Sequence, residues 1–230
     1  MAVAALRSLL FLIIYYSGSV ILVLIALAQV PRGQAKVETA ARRWGRWHRF
    51  CAHHILGITS HVEGALPQAQ AIVALKHESH YETIELLILF DRPAVVMKKQ
   101  LTDMPIWGLI AKAHGAIPVD RENGAAALRL MLRAAKSAVK AGRPVVIYPE
   151  GTRIAPGKSP ALKPGIIGLY KVLNLPIVPV AVASGRLVPR GGFIRFPGIV
   201  KFKVGEAIPP GLERAEVEAR LHHAINAFNR

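Results

Sequence analysis

Two short apolar runs, Ala71-Ile72-Val73-Ala74-Leu75 and Val145-Val146-Ile147, each give way at once to a cluster of polar and reactive residues. Apolar runs of this length read as buried strands. The first leads into Lys76-His77-Glu78-Ser79-His80-Tyr81-Glu82, the second into Tyr148-Pro149-Glu150-Gly151-Thr152-Arg153. Folds of the α/β class gather their sites at such strand ends. The rest of the chain alternates in the same way. Residues 81–90 read as a helix and 94–97 as a short strand. Residues 123–141 form a helix stopped by Gly142, with Leu128, Met131, Leu132, Ala135 and Val139 on one face. Phe193 to Phe196 and Ile199 to Val204 read as late strands joined by Pro197-Gly198, and residues 212–228 as a terminal amphipathic helix. The 230 residues suffice for one α/β domain with a full core.

His77 and Glu82 have four residues between them. On one straight helix their side chains would point about 140° apart, and on one strand they would face opposite sides. They meet only if the chain turns between them: a strand ending at His77, a turn, and a helix starting near Ser79. The imidazole then serves as general base, and the carboxylate fixes its tautomer and orientation. A plainer reading competes. Ser79-x-x-Glu82 is also a capping box. The two are compatible, because the box would fix the turn that the pair requires. A zinc reading of His77, Glu78 and His80 is weaker, since the histidines are three apart where H-E-x-x-H needs four. His53-His54 and His222-His223 read as surface or interface residues, and no metal is expected.

Between these clusters, Gly115-Ala116-Ile117-Pro118-Val119-Asp120-Arg121 delivers an arginine from a third short strand. Arg121 and Arg153 offer two planar forks that suit a phosphate. Each taken alone is most simply a solvated surface charge. Gly151 would let the backbone approach a ligand and present amide N–H groups.

Formal net charge is +16, which calls for an anionic partner, nucleic acid or a membrane surface. The N-terminal region chooses the membrane. Leu9 to Ala28 is an uncharged run of twenty residues, enough for a helix of about 30 Å. It is longer than a signal-peptide core and lacks a clean cleavage site after it. Ser17-Gly18-Ser19 in its middle leaves a bent or half-inserted helix open. Lys36, Arg42, Arg43, Arg46 and Arg49 follow, interleaved with Val37, Ala41, Trp44, Trp47 and Cys51, an amphipathic basic stretch with interfacial tryptophans. Only Arg7 precedes the run, so the positive-inside bias puts the following domain on the cytoplasmic side. Nucleic acid is disfavoured because no stacking aromatics interleave with the basic residues of the core domain. The single cysteine, Cys51, excludes an internal disulfide.

In four ordered places the chain resembles the lysophosphatidate acyltransferase family, also called 1-acyl-sn-glycerol-3-phosphate O-acyltransferases. The H-x4-D block is matched by His77 to Glu82, the G-x5-R block by Gly115 to Arg121, and the E-G-T-R block letter for letter by Glu150 to Arg153. The fourth block, an apolar strand with a key proline, is matched by Leu175-Pro176-Ile177-Val178-Pro179-Val180. Lys98-Lys99-Gln100-Leu101 resembles the family's basic stretch before the second block. Two positions depart from the pattern: Glu82 stands where aspartate is usual, and Lys76 where asparagine is frequent.

The resemblance implies a single α/β domain over 57–230, a mixed, mostly parallel sheet flanked by helices, behind a membrane anchor over 1–56. It implies transfer of a fatty acyl group from acyl-CoA or acyl-ACP to the sn-2 hydroxyl of 1-acyl-sn-glycerol-3-phosphate, giving phosphatidic acid. His77 and Glu82 would be catalytic. Arg121 and Arg153 would hold the acceptor phosphate with Lys98, in a pocket shaped by Glu150, Gly151 and Thr152. No cofactor is expected. The implied partners are the two substrates, anionic membrane lipids and, as one donor, an acyl carrier protein, at a bacterial-type inner membrane. Another lysolipid acceptor, such as a lyso-aminolipid, or a basic membrane-binding protein without chemistry are the alternatives.

Overall fold

The computed structural model describes residues 1–67, 70–120 and 124–229. Seven strands form one sheet among these residues, in the order β1-β7-β6-β2-β5-β3-β4. They are β1 (Ile58–Glu63), β2 (Ile72–Leu75), β3 (Ala94–Lys98), β4 (Ile117–Val119), β5 (Val145–Ile147), β6 (Ile177–Ala183) and β7 (Gly198–Val204). The five from β6 to β4 run parallel. Among the described strands the β6–β7 pairing is the antiparallel one, and β7 carries β1 parallel to itself. The sheet is therefore mixed and mostly parallel.

Burial explains the sequence patterns. β2 and β5 are buried at every position, as strands covered on both faces must be. β7 alternates, with Val200 and Phe202 inward and Lys201 and Lys203 outward. One face carries α1 (Ala2–Gln29), α2 (Gln34–Cys51) and α3 (Tyr81–Leu89) over Val73, Leu75, Val146 and Val182. The other carries α6 (Gly124–Lys140), α7 (Gly165–Leu173) and α8 (Arg214–Ile225) over Ile72, Ala74, Val145 and Ile177. Ala127, Met131, Ala135 and Ala138 give α6 its inward stripe. Two short helices, α4 (Lys99–Thr102) and α5 (Trp107–His114), connect β3 to β4.

The N-terminal region differs from its sequence reading in two ways. α1 continues unbroken through Ser17-Gly18-Ser19. With the 3₁₀ turn after it, it is long and apolar enough to cross a membrane. Gly18 is there for packing, since a Cβ would sit 2.5 Å from the ring of Trp47. The tryptophans of α2 are hydrogen-bonded to α1: Trp44 Nε1 donates to Ser19 Oγ at 3.0 Å and Trp47 Nε1 to the Tyr15 carbonyl at 3.1 Å. Helical spacing puts Trp44, Trp47, His48 and Cys51 on the side of α2 turned to that partner. The basic stripe of α2 is partly spent inward too. Arg49 pairs with the buried Glu85 of α3 at 2.7 Å, whereas Arg42 pairs at the surface with Asp91 at 3.4 Å. Phe11 and Tyr15 of α1 belong to the same core as Leu75 and Val146, so packing is continuous across residue 56.

Phe193 to Phe196 is not a strand. Its backbone is committed elsewhere: Arg195 N–H donates to Ser8 Oγ of α1 at 2.8 Å and Phe196 N–H to the Leu187 carbonyl at 2.9 Å.

Candidate active site

Five adjacent parallel strands end along one edge of the sheet, and their C-terminal ends bring the sequence clusters together. β2 leads to His77 and β5, its neighbour, to Tyr148–Arg153. β6, on the other side of β2, leads to Ser184, while β3 ends at Lys98. β4 ends two residues before Arg121, which lies outside the described residues.

β2 stops at Leu75, so His77 stands in the loop before α3. The turn between His77 and Glu82 closes as the spacing requires: His77 Nδ1 lies 2.9 Å from Glu82 Oε1. The same oxygen accepts the backbone N–H groups of Glu78 and Ser79 at 2.8 and 2.7 Å. The other, Oε2, accepts the hydroxyls of Ser79 and Ser184, each at 2.7 Å. The helix start is close to a capping box. Glu82 reaches back to the Ser79 N–H, while Ser79 Oγ accepts from Tyr81 N–H at 3.0 Å, one position short of the usual partner. The contacts to His77 and to the helix start thus converge on one side chain, Glu82.

Glu82 is fully buried. Burial pushes its carboxyl upward, but the hydrogen bond and charge of His77, with the Ser184 and Ser79 hydroxyls, outweigh it and hold the carboxyl below its ordinary range. The His77 ring packs on Tyr148 with centroids 4.2 Å apart. Glu78 points away from both histidines, accepting the N–H groups of Ser184 and Gly185 at 3.0 and 2.9 Å. Burial raises its carboxyl. Burial and the charge of Arg195 lower His80 to about 4, which keeps that ring neutral near pH 7.

The second cluster divides. Gly151, Thr152 and Arg153 line the site cavity. Glu150 does not: it is 2 % exposed and lies under the loop with its Oε1 3.2 Å from Lys76 Nζ. Lys76 is itself 1 % exposed and donates to the Lys158 carbonyl at 2.7 Å and to Asn226 Oδ1, just past α8, at 2.6 Å. The pocket-shaping expected of Glu150 is thus indirect. Removing one partner of such a buried pair costs about 3–5 kcal/mol. Gly151 has φ +74, which explains glycine there, but its N–H is used within the turn, donating to the Tyr148 carbonyl at 3.0 Å. The loop is tied to the first cluster by Ile154 N–H, which donates to the His77 carbonyl at 2.7 Å.

The cavity has a volume of about 920 Å³. Its polar wall includes His77, His80, Lys98, Arg153 and an arginine that sequence reasoning missed, Arg190, whose Nη1 donates to the Arg153 carbonyl at 3.3 Å. Its apolar wall draws Leu22 and Val23 from α1, Trp44 from α2, Ile110 from α5 and Met131 from α6. Such a space accepts a long hydrocarbon beside a charged head. Ser184 was also missed. Its one legible signal is a small hydroxyl directly after an apolar strand.

A family model described as Acyltransferase matches residues 57–183. The 1-acyl-sn-glycerol-3-phosphate acyltransferase of Pseudomonas aeruginosa is 26 % identical over 204 residues, 88 % of this chain and 79 % of that protein. The human 1-acyl-sn-glycerol-3-phosphate acyltransferase beta is 30 % identical over 151 residues, 64 % of this chain and 54 % of its own. The enzyme of that name from Cocos nucifera is 29 % identical over 143 residues, and the match spans 61 % of this chain and 46 % of that protein. Against the human and plant relatives, then, the chain spans about half their length. The crystal structure of the 1-acyl-sn-glycerophosphate acyltransferase of Thermotoga maritima superposes with a TM-score of 0.76 at 20 % identity, covering 98 % of this chain and 96 % of the other.

Proposed function

This chain belongs to the acyltransferase family, and on that premise we propose that it acylates the sn-2 hydroxyl of 1-acyl-sn-glycerol-3-phosphate from a fatty acyl thioester, giving phosphatidic acid. The observation that carries the reading is the His77–Glu82 pair opening onto a cavity with cations on one wall and hydrocarbon on the others.

His77 Nδ1 is held by Glu82, so Nε2 is the basic nitrogen. It takes the acceptor hydroxyl proton as that oxygen attacks the thioester carbonyl, and Glu82, kept anionic, stabilises the imidazolium. Collapse of the tetrahedral intermediate breaks the carbon–sulfur bond, and the thiolate leaves with the proton from Nε2. A backbone amide near the first cluster stabilises the oxyanion. Holding both substrates side by side supplies proximity, without an acyl-enzyme, metal or cofactor. Arg153 and Arg121 hold the acceptor phosphate with Lys98. Thr152 lines the same pocket, and Glu150 and Gly151 set the turn that presents it.

α1 anchors the chain in the membrane, with the catalytic domain on the cytoplasmic face. Either acyl-CoA or an acyl carrier protein fits as donor.

Purified protein assayed against a panel of lysolipids with both thioester donors tests this. Turnover of 1-acyl-glycerol-3-phosphate, abolished in His77→Ala, is expected. Preference for a phosphate-free lysolipid, or turnover indifferent to His77, would overturn it.

A further inference from the structure

Four apolar side chains crowd the exposed surface between β3 and β4. Leu101 of α4, Met104 and Ile106 of the turn, and Leu109 of α5 are 42, 48, 45 and 57 % exposed. The turn is strained. Ile106 has φ +62 and ψ −64, an outlier for a β-branched residue. The surroundings impose this: Gly108 lies so tightly on the Thr102 carbonyl that no Cβ fits, and Trp107 N–H closes on the Pro105 carbonyl at 2.6 Å. The effect is to hold an isoleucine out of the fold, a conformation that persists only where it is over-determined and is common at functional surfaces.

The patch adjoins the membrane helix. Ile110 and Ala113 of α5 pack against Val23, Ala26 and Leu27 of α1 and Val30 of the turn after it. Leu109 lies beside Ile110 and one turn from Ala113, at the margin of that seam, and α1 itself leaves Val20, Ile21 and Leu24 exposed. The cavity rim is here too, since Leu101 and Trp107 line it. Lys98, Lys99 and Lys112 border the patch against two acids: Asp103, which bridges Lys99 at 2.5 Å and Lys112 at 3.4 Å, and Asp120, whose charge also acts on Lys99.

We propose that the α4–α5 turn is a second, separate contact with an anionic lipid bilayer, with Met104, Ile106 and Leu109 seated among the acyl chains beside α1. Continuity with α1 selects lipid as the occupant, and the lysine excess suits headgroup phosphates. Two contacts fix the tilt of the whole molecule against the bilayer, which one helix leaves free. The cavity rim is thereby held at the depth of a lipid acceptor.

The test uses full-length protein in phosphatidylcholine–phosphatidylglycerol vesicles. Leu109→Cys carries an environment-sensitive fluorophore, and Arg220→Cys, exposed on α8 across the sheet, is the reference. Native Cys51 is fully buried with its thiol pushed up to about 11 by burial, so it does not compete for label. Brominated acyl chains should quench the label at 109 several-fold more than at 220. Equal quenching at both positions would overturn the proposal. So would a shift at 109 that needs no lipid and grows with protein concentration, since a second copy would then be the occupant. A double variant, Met104→Asp with Leu109→Asp, should raise the apparent KM for bilayer-embedded acceptor by about tenfold and leave a dispersed short-chain acceptor unchanged. An equal effect on both acceptors would also count against it. Quenching needs no turnover, so its outcome is separate from that of the proposed reaction.

Discussion

The backbone N–H of Ile154 donates to the carbonyl of His77 across 2.7 Å. One hydrogen bond thereby joins the loop that presents Arg153 to the residue proposed as base, so the two halves of the site cannot drift independently. His77→Ala leaves this backbone bond in place. It should lower kcat by at least about 10²-fold while circular dichroism and melting temperature stay near wild type. A folded variant with near-normal turnover would remove His77 from the mechanism.

Glu82 can be tested by charge alone. Glutamine keeps one oxygen for the His77, Glu78 and Ser79 donors, and its amide can face the Ser79 and Ser184 hydroxyls, which rotate to accept. Glu82→Gln should therefore fold yet lose kcat by roughly 10- to 10³-fold, because the imidazolium has no counter-charge. Full activity would leave Glu82 only its capping role. Glu82→Asp, one methylene shorter, should be partly active, since it cannot reach both hydroxyls and His77 together.

Ser184 holds the far oxygen of that carboxylate and lies outside the four sequence blocks. In Ser184→Ala, Oε2 loses a donor and Oε1 becomes the stronger acceptor for His77. The acid limb of the kcat/KM–pH profile should move to higher pH, with kcat down about 3- to 10-fold. Ser184→Thr, which keeps the hydroxyl, should restore the limb. An unmoved profile would make Ser184 a packing residue only.

Arg153→Lys exchanges a fork for a point charge at the cavity wall. It should raise KM for the lysophospholipid more than for the thioester. The same split is expected for Arg121→Lys. Equal shifts for both substrates would point to a structural role.

His48 predicts acid sensitivity. It is 1 % exposed on α2, against the rings of Phe11, Tyr15 and Tyr81, and burial with neighbouring positive charge lowers it to about 3. Unfolded, it titrates near 6.5. Between those values the unfolded chain binds more protons, so stability rises with pH and falls on acidification. His80 and His114, each lowered to about 4, add the same sign. His48→Leu should lose less melting temperature between pH 7 and pH 5 than wild type. An unchanged slope would show that other groups carry it.

The sequence was most legible where burial is two-sided. β2 and β5 are uninterrupted apolar runs because both faces are covered, and the polar residues after them had to lie at an edge. The His77–Glu82 turn was legible too, because only one geometry lets the two meet. Partners distant in sequence were not. Ser184 meets Glu82 from 102 residues away, and nothing local marks its hydroxyl as a ligand of that carboxylate. Trp44 and Trp47 carry an interfacial composition, yet Gly18 makes a notch that receives one of them in α1. Phe193 to Phe196 has strand propensity, but β7 is already filled on both sides by β1 and β6. Glu150 stands inside a matched motif and still faces Lys76 rather than the cavity.

The buried amine of Lys76 has a bearing on how the chain is made. Its partners are Glu150, Lys158 and Asn226, and the last of these leaves the ribosome 150 residues after the lysine does. Until then the lysine ammonium lacks one of the two acceptors that hydrogen-bond it in the fold, and the loop bearing Arg153 rests on an incomplete foundation. The loop bearing Arg153 therefore cannot set until the chain has been made through Asn226, and loss of the segment after α8 would loosen the reactive edge from 150 residues away.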